Sequence, residues 1–226
     1  MAQLRGIKAC VFDAYGTLFD VNSAAAQARD ALGERWQPLA ELWRARQLQY
    51  TWLRSLMGRY ADFRQVTREA LDFALASFGI DDAPLAERLM QLYLQLEAYP
   101  EVSATLARLK SGGMKLAILS NGEPKMLAAA AANSGVHKLF DAILSVDAVQ
   151  VYKPDPRVYR LPEEQFGLAA ADMCFVSANG WDAYAAKAYG YRVLWCNRFA
   201  QAAERMPDEP DACIANLAEM PSMLGL

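Results

Sequence analysis

Residues Lys8-Ala9-Cys10-Val11-Phe12-Asp13-Ala14-Tyr15-Gly16-Thr17-Leu18 decide the reading of this chain. They open with a short apolar run of the kind that forms a buried strand. Asp13 stands where that run ends, and Gly16 leaves the backbone free to turn sharply. In α/β sheets ligands bind beyond the carboxyl ends of the strands, so an acid at this point is a candidate for chemistry. Taken alone, the stretch is equally consistent with an acid that caps or turns the chain.

The pattern changes after this run. From about Val21 to Tyr99 the spacing predicts helices: Ser23–Leu32 ending at Gly33, Pro38–Met57 ending at Gly58, Gln65–Phe78 ending at Gly79, and Pro84–Ala98. In the last of these, Leu85, Leu89, Leu92, Tyr93 and Leu96 recur at helical intervals. Glycine is the usual stop signal for such segments. This is far more helix than one crossover between strands needs, and it reads as an inserted cap.

From Pro100 onward helices and strands alternate. Helices are predicted over Glu101–Lys110, Pro124–Asn133, Pro156–Phe166 and Trp181–Tyr189, with a terminal one over Leu217–Leu224. Strands are predicted over Lys115–Leu119, Ala142–Ser145, Met173–Val176, Arg192–Cys196 and Ala212–Ile214. Such alternation predicts an α/β fold: a Rossmann-like parallel sheet core with helices on both faces, plus an inserted helical cap domain. The core is expected to comprise residues 1–19 and 100–226, and the cap residues 20–99.

Composition bounds the function classes. The chain has 226 residues, of which 54% are hydrophobic and 22% charged, with a net charge of −3. No Lys/Arg-rich block points to nucleic acid or an anionic membrane surface. No signal peptide is apparent, and no apolar stretch is long enough to span a bilayer. The four cysteines, Cys10, Cys174, Cys196 and Cys213, lie in or beside apolar strand-like runs and form no CxxC pair. They read as buried, reduced thiols, and the expected location is cytoplasmic.

Polar residues cluster at four predicted strand ends or the loops after them. Asp13 and Thr17 follow the first strand, and Ser120-Asn121-Gly122 the second. Val151-Tyr152-Lys153-Pro154-Asp155 follows the third, with Tyr159 beyond it. Ser177-Ala178-Asn179-Gly180-Trp181-Asp182 follows the fourth. This order of Asp, Ser/Thr, Lys and a final acid resembles the four motifs of the haloacid dehalogenase superfamily.

Most members of that superfamily are magnesium-dependent phosphatases whose first motif has a second acid. That position here is Tyr15, and a phenol of pKa about 10 is a poor proton donor to a leaving alcohol. A halide leaving group needs no proton. The fourth motif carries one acid, Asp182, with Asn179 where phosphatases tend to have another. It is similar to the Ser-x-Asn-x-Trp-Asp of the L-2-haloacid dehalogenases. That resemblance implies hydrolysis of (S)-2-haloacids to (R)-2-hydroxyacids with no cofactor and no metal. Ala178 and Gly180 lie at places in that motif where side-chain size would alter the pocket, so halide preference stays open.

The same resemblance implies the roles. Asp13 is the nucleophile that forms an aspartyl ester, and Lys153 keeps it ionised. Thr17, Ser177 and Asn179 tie the strand ends together, and Tyr159 is matched by position. Asp182 is a candidate to activate water; its plainer reading is an acid at a helix start. Ala14, Tyr15, Ser120 and Asn121 are candidates to bind the substrate carboxylate. Arg44, in Leu42-Trp43-Arg44-Ala45-Arg46, is the candidate arginine of the cap, sharing a helical face with Ala40 and Leu48; by itself it also fits a surface pair with Glu41. Tyr15, Trp181 and Phe63 are candidate apolar walls, although core packing is the plainer reading for Phe63.

The only histidine, His137, lies away from every motif, and no G-x-S-x-G elbow is present. Both facts disfavour an α/β-hydrolase mechanism. The expected partners are a 2-haloacid and the released halide, with no nucleic acid and no membrane; dimerisation as a homodimer is implied by resemblance alone. The competing readings are a phosphatase of the same superfamily, which would require Mg²⁺, and a non-catalytic binding protein on the same scaffold.

Overall fold

The chain is described from a computed structural model, in which residues 3–21, 29–92 and 96–226 are placed. Six parallel strands form one sheet: β1 (Ala9–Phe12), β2 (Lys115–Ser120), β3 (Ala142–Ser145), β4 (Met173–Ser177), β5 (Arg192–Cys196) and β6 (Ala212–Ile214). Their spatial order is β3-β2-β1-β4-β5-β6. β1 lies inside, with Cys10 level with Leu116 on one side and Cys174 on the other. All four of its residues are wholly buried. A strand covered on both faces and paired on both edges has no surface for a polar side chain, which explains its continuous apolar run.

The order places Asp13 at the site of the turn-over. The chain runs outward from β1 through β2 and β3, then returns to the far side of β1 as β4. The crevice at such a reversal is where open α/β sheets bind ligands. The Asp13 amide still donates to the Val176 carbonyl at 2.9 Å, so the strand's order extends to the acid itself. Gly16, at φ 85°, then supplies the left-handed turn that carries the chain away from the sheet.

The helical part lies between β1 and β2. It contains α1 (Trp36–Met57), α2 (Phe63–Ser77) and α3 (Ala83–Leu92). α1 ends at Gly58, whose φ of 63° permits the terminating turn in which Arg59 N donates to Arg54 O. Asp62 caps α2 by accepting from Gln65 N at 2.8 Å. α2 buries Phe63, Val66, Ala70, Leu71, Ala74 and Leu75, a stripe at helical spacing. Each large apolar side chain so buried contributes about 1.5–3 kcal/mol. Helices α4 (Val102–Ser111), α5 (Pro124–Asn133), α6 (Pro156–Phe166), α7 (Gly180–Tyr189) and the one-turn α8 (Met220–Met223) accompany the sheet.

Some boundaries depart from expectation. The helix expected over Ser23–Leu32 is described only as Arg29–Leu32; residues 23–28 lie outside the described residues. The helix expected over Pro84–Ala98 runs over Ala83–Leu92, Tyr93 lies outside the described residues, and Ala98 is extended. Phe19 and Ala98 form an antiparallel bridge, Asp20 N donates to Glu97 O at 2.9 Å, and Tyr99 N donates to Leu18 O at 3.0 Å. The outgoing and returning connections thus pair with each other, and Pro100 disfavours helix at the residue before it. The end of the chain begins as a 3₁₀ turn, Leu217–Glu219, before α8.

Cys10, Cys174 and Cys196 are buried free thiols, and burial pushes Cys10 and Cys196 up to about 12. Cys213, on the edge strand β6, is exposed, contrary to expectation. Among the described residues no helix is long and apolar enough to cross a membrane.

Candidate active site

Every candidate at a strand end converges beyond the carboxyl edge of β1, β2 and β4. Asp13, only 6% exposed, is the centre. Its Oδ2 accepts from Thr17 Oγ1 at 3.0 Å and from Asn179 Nδ2 at 2.9 Å; its Oδ1 accepts from Lys153 Nζ at 3.2 Å. The proton of Thr17 has a fixed direction. Its oxygen already accepts from Ala178 N at 2.8 Å, so the hydroxyl proton goes to Asp13.

Lys153 is fully enclosed and joins two acids. Its ammonium also donates to Asp182 Oδ2 at 2.9 Å, and Asp182 Oδ1 accepts from Tyr159 OH at 2.7 Å. Asp182 therefore reaches Asp13 through Lys153 and not directly. Burial pulls the lysine pKa down, but the two carboxylates outweigh it and the net shift is upward. For Asp182 burial dominates and raises the carboxyl, partly offset by Lys153. Tyr159, buried against Asp182, is raised far above an ordinary phenol.

The second motif is oriented by main chain. Asn121 Oδ1 accepts from Lys153 N at 3.0 Å, which leaves the NH2 end of the amide for a ligand. Ser120 Oγ accepts from Gly122 N at 3.1 Å, leaving its proton to donate. Ser177 Oγ likewise accepts from Asn179 N at 3.1 Å and shapes the turn into α7.

Arg44 arrives from α1. Its Nη2 donates to Asn179 Oδ1 at 3.4 Å and its Nη1 to Gln47 Oε1 at 2.7 Å. The surface pairing with Glu41 does not form; Glu41 accepts from Gln37 instead. Gln47 and Asn179 are both neutral amides, and among the described residues Arg44 makes no ion pair with a carboxylate. Its charge is left for an anion.

These groups line a small, partly open cavity with room for about 10 Å³, roughly one water molecule. Asp13, Arg44, Ser120, Asn121 and Asn179 form its polar side; Tyr15, Leu48, Phe63 and Trp181 form its apolar side. Tyr15 stacks on Phe63 with ring centres 5.6 Å apart, and Trp181 meets Trp52 edge-on at 5.5 Å. Thr17, Lys153, Tyr159, Ser177 and Asp182 stand behind this wall, joined to it by the hydrogen bonds above.

Three contributors escaped the reading of motifs. Leu48, which shares Arg44's helical face, lines the cavity. Gly122 must lack a side chain, because a Cβ there would lie 2.7 Å from the Tyr15 ring. Gln47 grips Arg44 from behind. Only Gly122 lay beside a motif, in Ser120-Asn121-Gly122.

The donor set does not fit the magnesium site of the wider superfamily. Asn179 turns a hydrogen-bond donor toward Asp13, and the ammonium of Lys153 lies between Asp13 and Asp182. A hard dication needs oxygen ligands where these nitrogens stand. Among the described residues, no group of three or more His, Cys, Asp or Glu is arranged to hold a metal ion.

Comparison with known proteins agrees with this geometry. The chain is 44% identical over 219 residues to (S)-2-haloacid dehalogenase 1 of Pseudomonas sp. (strain CBS-3), covering 96% of each. It is 46% identical over 212 residues to the (S)-2-haloacid dehalogenase of Pseudomonas sp. (strain YL), covering 93% of this chain and 91% of the relative. The structure of L-2-haloacid dehalogenase from Xanthobacter autotrophicus with chloropropionic acid covalently bound superposes with a TM-score of 0.90 at 40% identity, covering 97% of this chain and 98% of the other. Residues 7–190 match the haloacid dehalogenase-like hydrolases, and this chain belongs to that family.

Proposed function

We propose that this protein hydrolyses the carbon–halogen bond of short (S)-2-haloacids, giving halide and (R)-2-hydroxyacids through an ester on Asp13. The observation that carries the reading is the setting of Asp13. Oδ2 spends its acceptor capacity on Thr17 and Asn179, whereas Oδ1 receives Lys153 alone and keeps a lone pair for attack. An uncompensated arginine stands across the cavity wall from it.

In the first step Asp13 Oδ1 attacks C2 and the C–X bond breaks with inversion; the electron pair leaves with the halide, toward the Arg44 guanidinium. Ser120, the Asn121 NH2 and the main chain at Ala14 and Tyr15 hold the substrate carboxylate. Tyr15, Leu48, Phe63 and Trp181 exclude bulk water from the ester. In the second step water attacks the ester carbonyl of Asp13, losing a proton toward Asp182, whose raised carboxyl suits it to act as a base. The bond from that carbonyl carbon to the oxygen on C2 breaks, the departing alkoxide takes one of the water's protons to become the 2-hydroxyacid, and the other is released as Asp13 regains its carboxylate. C2 is untouched in this step, so one inversion remains in the product. The covalently bound chloropropionic acid in the Xanthobacter autotrophicus dehalogenase supports a covalent route.

The same reading divides the chain into a core of residues 1–19 and 100–226 and a cap of residues 20–99, supported by the paired connections at Phe19 and Ala98. It also takes the protein as a cytoplasmic homodimer. The exposed Leu53, Leu56 and Met57 at the end of α1 offer a second copy an apolar surface to cover; sedimentation of the purified chain tests this.

The path of oxygen tests the mechanism. In a single turnover with excess enzyme in ¹⁸O-water, (S)-2-chloropropionate is expected to give (R)-lactate free of label, with ¹⁸O in the peptide containing Asp13. Label appearing at once in lactate and absent from that peptide would eliminate the ester.

A further inference from the structure

We propose that Gln47 is a positioning residue for Arg44, and that it forms with Thr67 a buried relay fixing the guanidinium at the cavity wall. This rests on Arg44 being the substrate-facing cation of the proposed reaction.

The buried stripe of α1 is Leu39, Trp43, Gln47 and Thr51, so half of its inward face is polar. A buried carboxamide costs free energy unless its partners are supplied, and an apolar side chain would fill the same space without that demand. Gln47 has those partners. Its Oε1 accepts from Arg44 Nη1 at 2.7 Å, and its Nε2 donates to Thr67 Oγ1 at 2.7 Å. Thr67 in turn donates to Phe63 O at 2.6 Å, and Trp43 Nε1 donates to Thr67 O at 2.9 Å.

The direction of the relay follows from its far end. The Thr67 proton belongs to the Phe63 carbonyl, so the hydroxyl oxygen can only accept from Gln47. The amide is then oriented with its oxygen toward Arg44, and no flip satisfies all partners. The choice of amide also has a reason. A carboxylate at position 47 would hold Arg44 equally well but cancel its charge, whereas the amide holds the guanidinium and leaves its charge for the departing halide. Both ends of the relay belong to the cavity wall, since Phe63 and Arg44 line it.

The experiment compares kcat/KM for (S)-2-chloropropionate and (S)-2-bromopropionate in Gln47→Met, Thr67→Val, Thr67→Ser and Arg44→Lys. Chloride, the poorer leaving group, depends more on a well-placed cation. Gln47→Met and Thr67→Val are expected to lower the chloride rate about tenfold and the bromide rate less, so that the chloride-to-bromide ratio falls. Thr67→Ser, which keeps the hydroxyl, is expected to retain the parent ratio. Loss of folded protein alone would lower both rates equally. Should Gln47→Met yield no folded protein, the two Thr67 variants carry the same comparison. A ratio that falls in Arg44→Lys but stays at the parent value in Gln47→Met and Thr67→Val overturns the relay alone. Parent rate and ratio in Arg44→Lys remove the role of Arg44, and the relay with it.

Discussion

The guanidinium of Arg44 lies 3.4 Å from the side-chain oxygen of Asn179, and the nitrogen of the same Asn179 amide lies 2.9 Å from the carboxylate of Asp13. One amide therefore spans from the cation supplied by α1 to the acid at the end of β1. A helix inserted far from the sheet in sequence is brought within one side chain of the proposed nucleophile.

The two neighbouring arginines of α1 are expected to behave differently. Arg44→Lys loses the planar fork that meets two partners at once, and kcat/KM should fall roughly ten- to hundredfold. Arg46 lies over the Phe73 ring at 4.3 Å and bonds Gln49, away from the cavity, so Arg46→Lys should leave kinetics near the parent. Steady-state kinetics of both variants check this; equal values would mean the cap contributes no anchor.

Asp13→Asn should abolish halide release by at least about a thousandfold while the protein stays folded. Peptide mass must first show that the amide has not reverted to the acid. Parent-like release by a verified amide would remove Asp13 from the chemistry.

Lys153→Met should destabilise the protein by about 3–5 kcal/mol, because it leaves Asp13 and Asp182 buried without their shared cation. Urea unfolding at neutral pH measures the difference. Acidification should narrow it, since protonation of Asp182 relieves an uncompensated buried charge. A difference below about 1 kcal/mol would show that the pair is not buried as described.

The pH profile should be asymmetric. A raised carboxyl takes up its proton earlier as pH falls, so Asp182 should lose its function above the usual carboxylate range, about 4. The initial halide burst should outlast turnover there, and the ester on Asp13 should accumulate, detectable by mass spectrometry. On the alkaline side Lys153 is raised above its ordinary 10.5, so no loss assignable to it should appear below that value. An acid limb at an ordinary carboxylate value with no ester accumulation would exclude Asp182 from the hydrolytic step.

Turnover should be unchanged by EDTA and by added Mg²⁺, because nitrogens of Asn179 and Lys153 stand where a dication would need oxygens. Turnover abolished by EDTA and restored by Mg²⁺ would favour a phosphatase.

How much of this was readable without coordinates differs by element. The strands were: the inner ones, buried on both faces, write themselves as apolar runs, and β5 and the short edge strands β3 and β6 fall at their expected bounds. The end of α3 was not. Leu96 continues the helical spacing, yet it serves the paired connection at Phe19 and Ala98, and only Pro100 warned of the change. Within the site, residues in motifs were legible because each follows a strand end. Gln47 and Thr67 were not: they sit on two helices, their partnership exists only where α1 and α2 touch, and a glutamine among polar neighbours reads as surface. Gly122 stood in the quoted Ser120-Asn121-Gly122, but the ring it must admit comes from Tyr15, in the loop after β1.

The pairing of charges around Asp13 has a consequence over the whole cycle. Asp13 and Asp182 are balanced by Lys153 and Arg44, so the resting site sums to zero. An arriving haloacid adds one negative charge. On the proposed route, attack makes Asp13 a neutral ester and moves that excess onto the halide. Once the halide departs, the ester-bearing site sums to zero again, with the substrate carboxylate standing in for the one that Asp13 has lost. The two long-lived states are isoelectric, and the halide is expelled from a cavity that its departure restores to neutrality.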